Sequence, residues 1–384
     1  QDFMIALGLT EAPFAKDNDQ SDQALGLALA RIRQLSAHEI GHTLGFAHNF
    51  SASAKNRTSV MDYPHPNLSL KQGKIDYSKA YEIGIGEWDK VSVAYAYSDF
   101  PQGTDETKAL NQILEKSTEA GHRFISDRDA RPIGGAHPTA HLWDNGSNAY
   151  EELSNLMEIR EVALKTLSLD HLREGEPYST LEDRMVPMYL LHRYQVEAVV
   201  KLIGGVDYDY AVKGPINYKT KVVDATTQRN ALKAYSNVLM PGALKIPDHL
   251  RSLLPPRSFS NPRTRENFLS QSGVAFDYLG IAHSLSDALL GMILHPERAN
   301  RLVTQYGFDS NQLGLKETLS TLVKAHFKVR YRNGHEQQLN DIVKANLLKH
   351  FMYLGQHPEA NAIVKALVHQ ELVRLDQWLA GQSD

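Results

Sequence analysis

The 384-residue chain contains no cysteine. That excludes disulfide bridges and thiolate metal ligands and leaves the redox compartment undetermined. It also has no run approaching eighteen consecutive apolar residues, so no segment reads as a membrane span. Neither sign of charge dominates, since 41 Lys and Arg stand against 45 Asp and Glu for a formal net charge of −4. Nothing in that balance calls for nucleic acid or an anionic membrane as partner. Gln1 to Thr10 carry neither an initiating methionine nor the basic head and small-residue cleavage site of a signal peptide, and they read as the start of a piece of a longer chain. With 42% hydrophobic and 22% charged residues, the remainder is ordinary globular material, long enough for two or three units.

Histidine, by contrast, is plentiful, and three of the 17 fall in one short stretch, Ser36-Ala37-His38-Glu39-Ile40-Gly41-His42-Thr43-Leu44-Gly45-Phe46-Ala47-His48. His38 and His42 stand four apart in a helical pattern, so both imidazoles project from one face and can hold one ion. Glu39 is turned about 100° around the helix, which suits a general base facing metal-bound water better than a metal ligand. Gly45 falls where a helix ends in a left-handed turn, and the reversed chain returns His48 as a third ligand. Three neutral histidines leave a fourth position open, the catalytic arrangement for zinc. The full spacing should arise by chance on the order of once in 10,000 chains of this composition.

Thirteen residues past His48 comes Met61, within Ser59-Val60-Met61-Asp62-Tyr63-Pro64. The extended histidine motif followed by this turn resembles the metzincin clan of zinc endopeptidases. The resemblance implies that Met61 forms an apolar floor beneath the histidines and packs rather than ligates. It implies that Tyr63 takes the place of a tyrosine that in some branches ligates the metal or stabilises the oxyanion; an ordinary buried aromatic is the other reading of that residue. More widely, Gly86-Glu87-Trp88-Asp89-Lys90-Val91, Phe124-Ile125-Ser126-Asp127 and His141-Leu142-Trp143-Asp144 look like a bacterial metzincin-like family of large exported peptidases. A secreted or periplasmic location follows from that likeness alone. Metzincins also place a twisted sheet before the zinc helix, and the 37 residues ahead of His38 are too few for it. The expected fold is therefore mainly α, with the upstream sheet largely absent.

The zinc helix is expected from about Asp22 to Leu44, capped by Ser21, with Leu25, Leu29, Ile32 and Leu35 as the stripe that seats it in a core. Residues 49 to 75 read as a loop wrapping the site, and Tyr77 to Tyr97 as a helix packed behind it. Asp127 and Asp129 could conceivably hold calcium, but two carboxylates are too few, and a hydrogen-bonded loop is the better reading. Helices are expected over 149–169 and 180–203, with Pro187 as a kink in the second or its true start. The stripe Met185, Met188, Leu191, Tyr194 and Ala198 reads as packing, and His192 as a surface or interhelical contact. Tyr208 to Val222 suggests a hairpin about Lys213-Gly214-Pro215. The division expected is a zinc-site region over 1–135, a helical region over 136–240, a proline-rich linker over 241–265 and further helices over 266–384. The late histidines, His326, His335, His350, His357 and His369, form no ligand set and read as surface residues. The functional expectation is a zinc-dependent peptidase acting on a peptide or protein, with His38, His42 and His48 on the metal and Glu39 as base. The rivals are a binding scaffold with a vestigial site and a zinc hydrolase of other amides or esters.

Overall fold

The computed structural model describes residues 2–16, 18–213 and 218–381. In chain order the helices are α1 (Asp2–Leu9), α2 (Ser21–Thr43), α3 (Glu87–Tyr97), α4 (Glu106–Glu119), α5 (Asp127–Ala130), α6 (Ala149–Thr166), α7 (Leu181–Tyr189) and α8 (Arg193–Leu202). After them come α9 (Ala225–Val238), α10 (Pro241–Leu244), α11 (Tyr278–Ile293), α12 (Pro296–Phe308), α13 (Leu315–Phe327), α14 (Gly334–Gln356) and α15 (Ala362–Ala380). Sheet among the described residues is confined to three antiparallel pairs: β1 (Phe14–Ala15) with β2 (Asn18–Asp19), β3 (Ser69–Lys71) with β4 (Lys74–Asp76), and β5 (Val206–Asp207) with β6 (Lys221–Val222). The protein is thus mainly α, as its pattern predicts.

Local chemistry explains most of the boundaries. Asp105, Asn148, Asp224, Asp277, Asn333 and Asn361 each accept a backbone N–H from the first turn of the helix they precede, which satisfies donors that have no partner inside the helix. The predicted helix over 180–203 is two. Pro187 lies inside α7 and supplies no N–H to the turn, and the helix ends at Tyr189 before α8 begins at Arg193. Tyr77 to Gly86 is not helical; the chain bends there, and α3 starts only where the Gly86 N–H is taken by Asp89 Oδ2 at 2.6 Å. The hairpin at 206–222 is present as a short pairing of Val206 with Val222, while residues 214 and 215 of its expected turn lie outside the described residues.

One large apolar core runs from Ala6 and Leu7 in α1, through α6 to α9, to Val368 and Leu375 in α15. Met185, Met188, Leu191 and Ala198 are buried in it. Residues 241–265 contribute Leu244, Ile246, Leu250 and Leu254 to the same core, and Arg257 pairs with Glu182 and Asp183 of α7. A separate small core of Phe50, Ile125, Ala130, Ala140 and Leu142, with Tyr63, Trp143 and Tyr208 packed on it, lies among the loops around the histidines.

The seating of α2 corrects the expected stripe. Leu25, Leu29 and Ile32 are 47%, 49% and 55% exposed, and Leu35 is half-buried. The buried side is Ala24, Leu27, Ala28, Arg31, Gln34, His38 and Gly41. The cause is a polar tether, because Gln34 Nε2 and His38 Nδ1 both reach the Val60 carbonyl, at 3.3 and 2.6 Å. Those two bonds turn their own side of the helix inward, and the leucine side faces outward. The helix is also preceded by Gln20 as N-cap, with Ser21 its first residue. His326, expected at the surface, is fully buried and bonds Asn340 Oδ1 at 3.0 Å, while His192, expected as a surface or interhelical contact, is fully buried just before α8.

Candidate metal centre

α2 carries His38 and His42 on its inward side and ends at Thr43, with Leu44 as its C-cap. Gly45 follows with φ of 88°, a left-handed conformation that costs a side-chain-bearing residue and glycine little. The chain doubles back there and delivers His48. The ligand-capable atoms of His38, His42 and His48 all lie within 4.8 Å of one another.

The outer nitrogens decide what the inner ones are. His38 Nδ1 is 2.6 Å from the Val60 carbonyl, His42 Nδ1 2.8 Å from the Phe46 carbonyl, and His48 Nδ1 2.8 Å from Asp127 Oδ2. A carbonyl or carboxylate oxygen can only accept, so each Nδ1 bears the proton and donates it. In the neutral rings every Nε2 is then a bare lone pair. Two of these, on His42 and His48, sit 3.2 Å apart. Two lone pairs facing at that distance repel, unless a cation lies between them. Tetrahedral zinc with bonds of about 2.05 Å sets its nitrogens about 3.3 Å apart. The donor set therefore fits a first-row divalent ion that prefers imidazole. Burial also holds the His38 imidazole below its ordinary pKa, which favours the neutral, ligating form.

Met61 is buried, and its Sδ lies 2.2 Å from where a Cβ on Gly41 would be, so the methionine is seated directly against the α2 backbone. Its carbonyl accepts the N–H of Asn49 at 3.0 Å, which joins the turn to the strand of chain leaving His48. The turn itself is braced by Asp89 of α3: Oδ1 accepts from Ser59 Oγ at 2.6 Å and Oδ2 from the Val60 N–H at 2.8 Å. A second brace is the buried pair Asp62 and Asp144. Ser53 donates its N–H to Asp62 and its hydroxyl to Asp144. Burial raises both carboxyls, Asp144 to about 7, and their mutual repulsion adds to the shift in Asp62. The pair accordingly keeps a proton near neutrality.

Tyr63 lies among the histidines, its ring centroid 4.7 Å from that of His48 and 5.3 Å from that of His38. Its hydroxyl accepts a long hydrogen bond, 3.4 Å, from Arg131. Glu39 is exposed and has no hydrogen-bonded or ion-paired partner among the described residues, yet its charge is close enough to act on His38. Asp127 and Asp129 are hydrogen-bonded, as expected, but from the short helix α5 rather than from a loop. Asp127 takes His48 and Arg131, while Asp129 takes the Tyr208 hydroxyl at 2.6 Å and that of Tyr210. Burial works against the Asp127 charge, but the bonds from Arg131 and His48 outweigh it and hold the carboxyl at about 2.

Spacing could not reveal the braces. Asp89, Asp127 and Asp144 are the aspartates of the three downstream runs noted in the sequence, but His48 and Asp127 are 79 positions apart. Trp143 stood in the sequence only as part of the His141-Leu142-Trp143-Asp144 run; at φ of 60° it is held in the left-handed region, its ring tilted against that of Tyr63 at 5.1 Å and lying under Arg31.

A family model described as Met-zincin matches residues 20–334, a span that takes in α2, the histidine triad, the methionine turn and all three aspartate braces. No curated protein and no solved structure matches the chain. No helix among the described residues is long and apolar enough to cross a membrane. A match over most of the chain, laid on a triad whose lone pairs already converge, makes this protein a member of the Met-zincin family.

Proposed function

We propose that the protein is a zinc-dependent peptidase, and the observation that carries the reading is the convergence of three Nε2 lone pairs beside an unpaired carboxylate. His38, His42 and His48 would hold the ion. When bound, zinc acidifies a coordinated water and polarises a carbonyl oxygen. Glu39 accepts the proton of the attacking water at a carboxylate oxygen and returns it to the amine nitrogen as the C–N bond breaks. Tyr63 donates its hydroxyl hydrogen to the substrate carbonyl oxygen as negative charge grows there. On the likeness to exported peptidases, we place its action outside the cytoplasm.

The test is turnover of quenched peptides by the zinc-loaded chain, with and without chelator. Glu39→Gln should lower kcat at least about 100-fold with metal content unchanged. Full activity in that variant removes the mechanism. Ester or non-peptide amide turnover without peptide turnover would favour the broader hydrolase reading.

A further inference from the structure

The three ligands are not held alike. His38 and His42 each donate Nδ1–H to a backbone carbonyl, Val60 and Phe46, so no side-chain substitution can remove those acceptors. His48 alone donates to a side chain, Asp127, on a separate element. An ionised acceptor draws the Nδ1 proton toward itself and raises the basicity of the opposite nitrogen, which a neutral carbonyl does less. The carboxylate is itself fixed. Its Oδ1 accepts from Arg131 Nε, and the Arg131 guanidinium lies over two rings, 5.5 Å from the Phe50 centroid and 5.4 Å from that of Tyr63. Phe50 in turn is 5.0 Å from the His48 ring. The guanidinium is thus anchored on the same aromatic cluster that holds the ligand.

We propose that Asp127 is the positioning residue of the metal centre, fixing the tautomer and orientation of His48, with Arg131 holding the carboxylate in place. It reaches the metal only through His48. The proposal rests on the metal-site half of the reading above and not on peptide hydrolysis. A useful comparison exists on the same turn: Asp129 spends its carboxylate on the hydroxyls of Tyr208 and Tyr210 rather than on a ligand.

The experiment is zinc affinity of the full chain by competition with a chromophoric chelator, together with the electronic spectrum of the cobalt-substituted protein. Asp127→Asn should weaken zinc by about 10–100-fold and alter the cobalt spectrum. Asp129→Asn should leave both within about twofold, although it removes a charge from the same turn. Arg131→Met keeps the apolar stem on Phe50 and Tyr63 but leaves the carboxylate only the Ser126 hydroxyl, 3.2 Å from Oδ2, to hold it beside His48; it should weaken zinc by less than Asp127→Asn, and the double variant should be no weaker than Asp127→Asn alone. Undiminished affinity in Asp127→Asn overturns the proposal, as does an equal loss in Asp129→Asn, which would mark a merely structural turn. Additive losses in the double variant overturn the part given to Arg131. A chain that binds zinc with this pattern but cleaves no peptide would defeat the peptidase reading and leave Asp127 in its role.

Discussion

At the scale of single residues, the part of the site that spacing could show is the part built within one stretch of chain. His38, His42, Gly45 and His48 are tied by helix geometry and one left-handed turn, and Met61 follows close behind. Spacing also leaves one contact to be found in three dimensions, the meeting of Met61 with Gly41. An added methyl at Gly41 falls 2.2 Å from Met61 Sδ, and the buried thioether has little room to withdraw. Gly41→Ala should cost about 1–3 kcal/mol, read from the urea midpoint, and should weaken zinc as well because the helix and the turn share the Val60 carbonyl. An unchanged midpoint would mean that the methionine is free to move, and that it does not act as a floor.

Among elements, amphipathic periodicity identified α2 as a helix and then misjudged its inner face. Periodicity reports that apolar residues share a side, but not what the other side is bonded to. Here Gln34 and His38 bind the methionine turn and outrank the stripe of Leu25, Leu29 and Ile32. The same limit hid what α3 does, although the helix itself was expected: its buried Asp89 binds the Ser59 hydroxyl and the backbone N–H groups of Val60 and Gly86 in a way that no local pattern announces. Asp89→Asn turns an NH2 group toward donors that need an acceptor. About 1–3 kcal/mol should be lost for the unsatisfied groups. Limited proteolysis should then cut sooner within residues 55–60 than in the parent, whereas cleavage at the parental rate would show that α3 is not the brace of the turn.

For the molecule as a whole, buried histidines set the acid limit. Burial lowers His65, His137, His141 and His171 to about 4 from an ordinary 6.5. An unfolded chain therefore takes up these protons first as pH falls. Stability from the four is complete above 6.5 and is lost progressively down to about 4. Asp62 and Asp144, raised by burial, run the other way and regain some stability as they protonate, Asp144 from about 7 downward. Four imidazoles against two carboxyls leave a net loss, each unopposed imidazole contributing a slope of about 1.4 kcal/mol per pH unit. Urea midpoints should hold or rise slightly from pH 7 to 6.5, where only the carboxyls titrate, and fall from there to pH 4; a flat profile below 6.5 would contradict the burial of these rings. The family and the α-rich class were readable at this scale, since both rest on local pattern. The arrangement of one large core and one small core was not, because Phe50, Ile125 and Leu142 come together across nearly a hundred positions of chain.

That small core has a consequence of its own. Phe50, Ile125, Ala130, Ala140 and Leu142 bury few side chains, and three of the four acid-sensitive histidines belong to the loops about them. The region around the histidine triad is thus a lightly built annex on a heavily built house. Stripped of its ion or brought to mild acid, the annex should melt while the helical body stands, and a thermal trace of the metal-free protein should descend in two steps that merge into one when zinc is restored.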